Sequence, residues 1–129
     1  MPTDEMFDSA LRSVGDFAGV FEFDGDVAYF YLYDTTKAEK EKVLGAIRVF
    51  TGAPDFEADD VAISWDESES KVGLLIRGKL WAAFDAATRA AYGGNYHVGN
   101  RRIIRTEVQK NWILLHFDDK VVVLRFFSL

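Results

Sequence analysis

One segment in the second half of the chain combines residue types that could bind a ligand or a partner. It runs Tyr-Gly-Gly-Asn-Tyr-His-Val-Gly-Asn-Arg-Arg, from Tyr92 to Arg102. Arginine donates planar, bidentate hydrogen bonds to an anion or a carboxylate, and histidine exchanges a proton near neutral pH. We therefore predict binding by the aromatic, imidazole and guanidinium side chains of Tyr92, Tyr96, His97, Arg101 and Arg102. The simpler interpretation is an ordinary surface loop that leads into a basic strand, and the sequence leaves both open.

Other chemistry lacks the residues or the spacing that it needs. The chain has no Cys, which removes disulfides, thiol catalysis and thiolate metal sites. Its two histidines, His97 and His116, lie in different segments without the spacing of a zinc site. No phosphate-binding loop, nucleophile elbow or dinucleotide fingerprint occurs. We predict no catalytic residue, no metal and no cofactor, and we favour a noncatalytic role over an unrecognised enzyme.

Charge and hydropathy restrict the partners. The formal net charge of −6 argues against nucleic acid, because nonspecific binding to phosphates depends on clustered Lys and Arg. No apolar run approaches the ~18 residues of a membrane span. The N-terminus, Met-Pro-Thr-Asp-Glu, is acidic where a secretory signal needs a basic start. We predict a cytoplasmic protein that binds neither nucleic acid nor a membrane.

The elements that must position these residues begin with a hairpin. Asp24-Gly25 separates two strand-like runs, and a tight turn with positive φ at its centre favours this dipeptide. With these two residues as the loop, Phe23 pairs with Asp26 and Phe21 with Ala28. Alternation along the strands then places one set of side chains in the core, namely Phe17, Phe21, Phe23, Phe30 and Leu32.

The opposite face of the predicted hairpin is rich in tyrosine. It holds Val20, Glu22, Val27, Tyr29, Tyr31 and Tyr33. Each ring carries a hydroxyl that requires water or a partner, so this face is expected to be part covered and part wet. Tyr29 and Tyr31 are therefore candidate binding residues.

Two segments predict helices. Thr3 could cap a first helix that Gly15 ends. Its apolar residues recur at helical spacing and are Met6, Phe7, Ala10, Leu11 and Val14. A capping box that begins at Thr36 and ends at Glu39 indicates a second helix at about 36–51. The apolar stripe of that helix consists of Val43, Leu44, Ile47 and Phe50.

The remaining segments predict strands. A meander is expected at 61–65, 72–76 and 80–85, with a further strand at 101–108. A second hairpin, 112–117 and 121–127 around Asp118-Asp119, would place Trp112 opposite Arg125. No repeat or linker divides the chain, so we predict one domain, residues 1–129. The predicted class is α+β: a single, strongly curved antiparallel sheet of about six to eight strands, with both helices packed on one face.

Three stretches of the chain carry a family resemblance. They are Gly19-Val-Phe-Glu-Phe-Asp-Gly-Asp-Val-Ala-Tyr-Phe-Tyr, then Ile63-Ser-Trp, then Leu74-Leu-Ile-Arg-Gly-Lys-Leu-Trp-Ala-Ala-Phe-Asp85. They resemble a family of small uncharacterised bacterial proteins, a domain of unknown function, with a Phe-Glu-Asp-Asp-Gly hairpin, Tyr-Phe-Tyr, a Trp-Ser strand and an Ala-Val-Phe-Asp-Phe segment. Here Phe23 replaces an acid of that pattern, and Ser64-Trp65 has the reverse order. The resemblance covers about residues 17 to 97 and implies a bacterial origin and a shared fold, with no catalytic residue to carry over.

These observations lead to two hypotheses about function. The first is a small noncatalytic bacterial protein that binds another protein, in the manner of immunity proteins and secretion chaperones, because Tyr and Trp often anchor interfaces. The second is a small-ligand-binding protein or an unrecognised enzyme with its site near the Tyr92 to Arg102 loop. A homodimer is a further prediction. It follows from the closing run Val-Val-Val-Leu-Arg-Phe-Phe, which we expect to be paired within the sheet or across a dimer interface.

Overall fold

The computed structural model describes residues 5–96 with their side chains, and the backbone of residue 97, 104–105, 112–117 and 120–125. These residues form twelve strands and one 3-10 turn, Ala58–Asp60. The strands are β1 Met6–Leu11, β2 Phe17–Phe23, β3 Val27–Asp34, β4 Val43–Thr51, β5 Val61–Trp65, β6 Lys71–Ile76, β7 Lys79–Asp85, β8 Ala91–Gly93, β9 Tyr96–His97, β10 Ile104–Arg105, β11 Trp112–Phe117 and β12 Lys120–Arg125. The fold is therefore nearly all β, and the predicted α+β class is wrong. Within this part of the chain no helix is long and apolar enough to cross a bilayer.

The strands form two main sheets and a separate hairpin. The six-stranded sheet has the order β1-β2-β3-β4-β9-β10 and is antiparallel except between β4 and β9. The four-stranded sheet has the order β5-β6-β7-β8 and is antiparallel throughout. Buried residues from both sheets belong to one hydrophobic core, so the two sheets pack face to face as a sandwich. The prediction of a single curved sheet with helices on one face is therefore also wrong.

The predicted N-terminal helix is strand β1. Met6 is buried, whereas Phe7, Leu11 and Val14 are exposed, so the apolar residues do not form one buried stripe. Burial alternates along the strand instead, as the period of a β-strand requires. β1 pairs with β2 over all six of its residues. This pairing satisfies backbone groups along the edge of β2, whereas an isolated helix between Thr3 and Gly15 would have little stability of its own.

The predicted second helix is an exposed turn region followed by strand β4. The capping box does not form, because the backbone N–H and the hydroxyl of Thr36 both donate to the carboxylate of Asp34. β4 is rich in β-branched residues, and Gly45 lies inside it, which disfavours a helix. Two register shifts interrupt its pairing with β3, and they bring Leu44 and Val49 to buried or half-buried positions out of strict alternation. The resulting spacing of apolar residues imitates that of a helix.

Phenylalanines fill the interior of the sandwich. Phe21, Phe23, Phe30, Phe50 and Phe84 are at most 1% exposed. The ring of Phe50 lies 5.4 Å from that of Phe23 and meets the rings of Phe56 and Trp81 edge to face, at 5.5 and 5.8 Å. The predicted core face of the first hairpin is confirmed, with Phe17 half-buried at its end.

The register of that hairpin differs from the predicted one by two residues. Phe23 pairs with Ala28, and Phe21 with Phe30, so the loop is longer than Asp24-Gly25 alone. The Asp24 carboxylate accepts hydrogen bonds from the backbone N–H groups of Asp26 and Val27, which stabilises the wider turn. A shift of two residues keeps every side chain on its predicted face.

A cluster of polar contacts joins the two sheets where β1 lies beside β5. The indole N–H of Trp65 donates to the carbonyl of Ala10 at 3.0 Å. The guanidinium of Arg12 lies 4.7 Å from the ring centre of Phe17 and donates to the carbonyl of Glu69 at 3.1 Å. Its hydrogen bond to Asp16 also lowers the pKa of that carboxyl group. These contacts hold the edge of the six-stranded sheet against the four-stranded one.

The structure confirms the predicted strands of the meander and of the last hairpin. The meander of β5, β6 and β7 is confirmed, and Arg77 and Gly78 both have positive φ in its second turn, as a tight hairpin requires. The backbone pairing of Trp112 with Arg125 in the last hairpin is also confirmed. Of the predicted strand 101–108, the described residues include β10. Its other residues lie outside the described part of the chain.

Candidate interaction surface

The outer face of the six-stranded sheet carries an aromatic surface, which we call the tyrosine face. Its residues come from β1, β2, β3 and β4, and the strand register arranges them in three rows that cross the four strands. The rows are Phe7, Glu22, Tyr29 and Arg48; Ser9, Val20, Tyr31 and Ala46; and Leu11, Ala18, Tyr33 and Val43. This surface lies on the side of the sheet opposite to the phenylalanine core.

Large apolar side chains remain exposed at the margins of the tyrosine face. Phe7 is 69% exposed and Leu11 59% exposed on β1, and Val43 is 47% exposed on β4. Between them, Ala18 and Val20 are buried beneath the neighbouring side chains. The surface therefore consists of buried small apolar residues on β2, half-buried tyrosines on β3 and exposed apolar side chains on β1 and β4.

The rings of Tyr29, Tyr31 and Tyr33 form a continuous line along β3, which we call the tyrosine row and which runs across the three rows above. The ring centres of Tyr29 and Tyr31 are 5.8 Å apart with their planes 15° from parallel. Those of Tyr31 and Tyr33 are 5.9 Å apart and tilted by 47°. Rings held side by side by the strand lose little further freedom when a partner covers them, which suits them to an interface.

An acid lies on one side of the tyrosine row and a base on the other. Glu22 on β2 and Arg48 on β4 are both exposed, and both pair in register with Tyr29. Burial raises the pKa of the Tyr31 hydroxyl, and the negative charge of Glu22 raises it further. Tyr31 is thus a neutral hydrogen-bonding group over the whole physiological pH range.

Comparison with known protein families shows which family the chain belongs to. Residues 2–112 match a family described as uncharacterized proteins conserved in bacteria, DUF2251. The chain belongs to this family. The family resemblance predicted from residues 17 to 97 is confirmed, and the DUF2251 match contains the whole tyrosine face.

A relative of known sequence comes from Haemophilus influenzae strain Rd. It is 35% identical over 101 residues, which cover 71% of this chain, and it is itself named only as an uncharacterized protein. This DUF2251 chain spans about 63% of the length of that relative. No solved structure matches the chain.

Of the second group of predicted site residues in this DUF2251 member, Tyr92 and Tyr96 lie away from the tyrosine face. Tyr96 turns towards the core, where its ring lies 5.3 Å from that of Trp81. Tyr92 is half-buried on β8 and pairs with Ala83. The backbone of His97 pairs with Thr51. The side chain of His97, together with Arg101 and Arg102, lies outside the described residues.

Several residues of the tyrosine face were missed from the sequence. The sequence pattern predicts a helix over Phe7 and Leu11 and a second helix over Val43 and Arg48. The signal that could have found the first pair is the alternation Phe7-Asp-Ser-Ala-Leu11, in which small and polar residues separate two large apolar ones. For the second pair it is the β-branched content of the segment after residue 42.

The described residues offer no obvious metal ligands. Among them, no three His, Asp or Glu side chains converge as a metal site would require. The acidic loop before β5 is engaged with a base of this chain instead, since Asp55 and Asp60 lie 3.6 and 3.5 Å from the guanidinium of Arg77. The side chains of the tyrosine face offer apolar contact, aromatic stacking and hydrogen bonding.

Proposed function

We propose that this protein acts noncatalytically, by binding another protein chain through its tyrosine face. The observation that supports this most is the exposure of Phe7, Leu11 and Val43 around the tyrosine row. A contiguous apolar surface on a small domain is costly to leave in water and is typical of a site where proteins meet. The bacterial cytoplasm is the proposed setting, for which the absence of Cys is a supporting observation.

The composition of the tyrosine face favours a protein partner over a small ligand. Tyrosine is among the residues that most often carry binding energy at protein interfaces, where water is excluded around it. The face is a broad arrangement of three rows on four strands, whereas sites for small molecules are concave and enclose most of the ligand. The single acid and base, Glu22 and Arg48, would fix the orientation of the partner.

The experiment compares capture of partners by matched variants of the full chain. Wild-type protein is crosslinked in its native cells, and the bound chains are quantified beside those of Tyr31→Lys and Phe7→Ser. The control is Ala62→Lys, which adds the same charge at an exposed position on β5 of the other sheet. We expect a stoichiometric partner chain that both tyrosine-face variants lose and the control retains.

Folding of each variant is checked by circular dichroism and thermal melting, so that a loss of capture is not a loss of structure. Equal capture by wild type, Tyr31→Lys and Phe7→Ser would contradict the proposal. So would the recovery of a bound metabolite without any protein partner.

A further inference from the structure

We propose that the chain seated on the tyrosine face is a second copy of this protein, related to the first by a two-fold axis parallel to β3. This inference rests on the proposed function and names its partner. The observation behind it is the first row of the face, where Glu22 and Arg48 lie on the strands to either side of Tyr29. Opposite charges are thus placed symmetrically about β3.

Two-fold symmetry turns that arrangement into a self-complementary surface. In an isologous interface both copies use the same patch. If one residue of the first copy contacts a second residue of the other copy, the same contact occurs with the two copies exchanged. An axis along β3 exchanges the places of β2 and β4. Glu22 of each copy then faces Arg48 of the other, and the tyrosine rows of the two copies meet in the middle.

The other two rows obey the same operation. Val20 on β2 comes to face Ala46 on β4 of the other copy, and Ala18 comes to face Val43. Val20 and Ala18 are buried within their own chain, so these rows place apolar positions, without any charge, opposite one another. One axis therefore pairs opposite charges in the first row and apolar positions in the second and third.

Both charged side chains are exposed on the face, and Glu22 also forms a hydrogen bond with the hydroxyl of Tyr31. Among the described residues, neither Glu22 nor Arg48 takes part in an ion pair with this chain's own groups. The twelve residues of the tyrosine face carry one acid and one base, so the face is neutral although the chain has a net charge of −6. Two copies of an acidic chain repel one another least where their meeting surfaces are neutral.

The size of the face sets the expected strength. The axis superimposes β2, β3 and β4 of the two copies and leaves β1 at the margin. With strands about 4.8 Å apart and rows about 6.8 Å apart, three strands and three rows give a flat footprint of roughly 300 Å². A standard interface covers about 800 Å² on each partner. Interfaces below the standard size are typical of weak, transient association, so the dimer is expected to be reversible instead of obligate.

Charge reversal in the full chain tests the geometry. Sedimentation equilibrium is run on wild type, Glu22→Arg, Arg48→Glu, the double variant and an equimolar mixture of the two single variants, over a wide range of protein concentrations. Each single reversal creates two repulsive contacts per dimer, so its Kd should rise about tenfold or more. The mixture should associate, because Arg at position 22 of one copy then meets Glu at position 48 of the other, and so should the double variant.

The control is Lys79→Glu, which reverses one exposed charge on β7 of the other sheet and should leave the Kd unchanged. A dimer that ignores the reversals, or single variants whose mixture stays monomeric, would overturn the inference. A monomeric wild type would also overturn it, while a foreign partner lost by Tyr31→Lys would leave the proposed function standing. Both ideas fail together if wild type is monomeric and its captured partners do not depend on Tyr31.

Discussion

The two faces of β3 differ in one chemical respect that separates the core from the surface. Ala28, Phe30 and Leu32 point inward and have no exposed area. Tyr29, Tyr31 and Tyr33 alternate with them, point outward and are half-buried. Both sets are mostly apolar, and the tyrosine hydroxyl distinguishes the outer one. The comparison teaches that both faces of this strand carry apolar area, which the second sheet covers completely on the inner side and which stays half-buried on the outer side.

The inner face is already complementary to what covers it. The ring of Phe84 from the opposite sheet fills the space above Gly45, where an added Cβ would lie 2.8 Å from its Cε1 atom. At Gly19 an added Cβ would lie 2.7 Å from the Cγ2 atom of Val72. On the outer face, by contrast, the apolar side chains of Phe7, Leu11 and Val43 remain exposed. Substitutions on the two faces should therefore have very different consequences for folding.

The largest difference is expected from truncating neighbouring residues of β3. Phe30→Ala removes a fully buried ring and should lower the free energy of unfolding by about 3–5 kcal/mol. Tyr31→Ala, one position along, removes a half-buried ring from an unpacked face and should cost about 1 kcal/mol, the scale of a cross-strand contact. Urea denaturation of the two variants and wild type measures both. Equal losses would show that the outer face contributes to stability as the core does, and would remove the contrast between them.

A smaller difference is expected at adjacent positions of β4. Gly45→Ala inserts a methyl group against the ring of Phe84 and should cost about 1–3 kcal/mol, since overpacked cores must shift to make room. Ala46→Ser changes the neighbouring exposed side chain and should stay within about 0.5 kcal/mol of wild type. Thermal melts of both variants give the comparison. A harmless Gly45→Ala would mean that the two sheets are less tightly packed than their side chains indicate.

The hairpin of β2 and β3 was predictable because its signals are local. An Asp-Gly turn between two runs of aromatic and β-branched residues, with a period of two, needs no distant contact to be recognised. The register was not predictable from the dipeptide. The side chain of Asp24 widens the turn through hydrogen bonds to Asp26 and Val27, and only the folded turn reveals them.

The two helix predictions failed for different physical reasons. In β1 the apolar spacing is misleading because a helix of this pattern would bury every apolar residue, whereas Phe7 and Leu11 stay on the surface. In β4 two bulges bring side chains to the inner face at irregular intervals, so a strand acquires the spacing of a helix. These errors concealed half of the tyrosine face. Tyr29 and Tyr31 were found from the sequence, and binding by them stays a prediction.

The smallest expected effect concerns one hydroxyl of the tyrosine face. Burial, followed by the charge of Glu22, raises the pKa of Tyr31 above its ordinary value of 10.0 in the folded chain. Folding therefore favours the neutral hydroxyl. The associated stability is fully present below pH 10.0 and is lost as the pH rises through the raised pKa. Tyr31→Phe should leave the free energy of unfolding near neutral pH within about 0.5 kcal/mol of wild type and should flatten its decline in alkali.

Denaturant titrations at several alkaline pH values, on protein dilute enough to be monomeric, measure this difference between Tyr31→Phe and wild type. Lysine residues also lose protons in alkali, but they do so in both proteins and cancel in the comparison. Glu22→Gln serves as the intermediate variant, because it removes the second cause of the shift and leaves burial, the larger one. Its alkaline decline should lie between those of the other two proteins. A Tyr31→Phe profile parallel to that of wild type would show that the ring is as hydrated in the folded chain as in the unfolded one, and that the outer face is an ordinary wet surface.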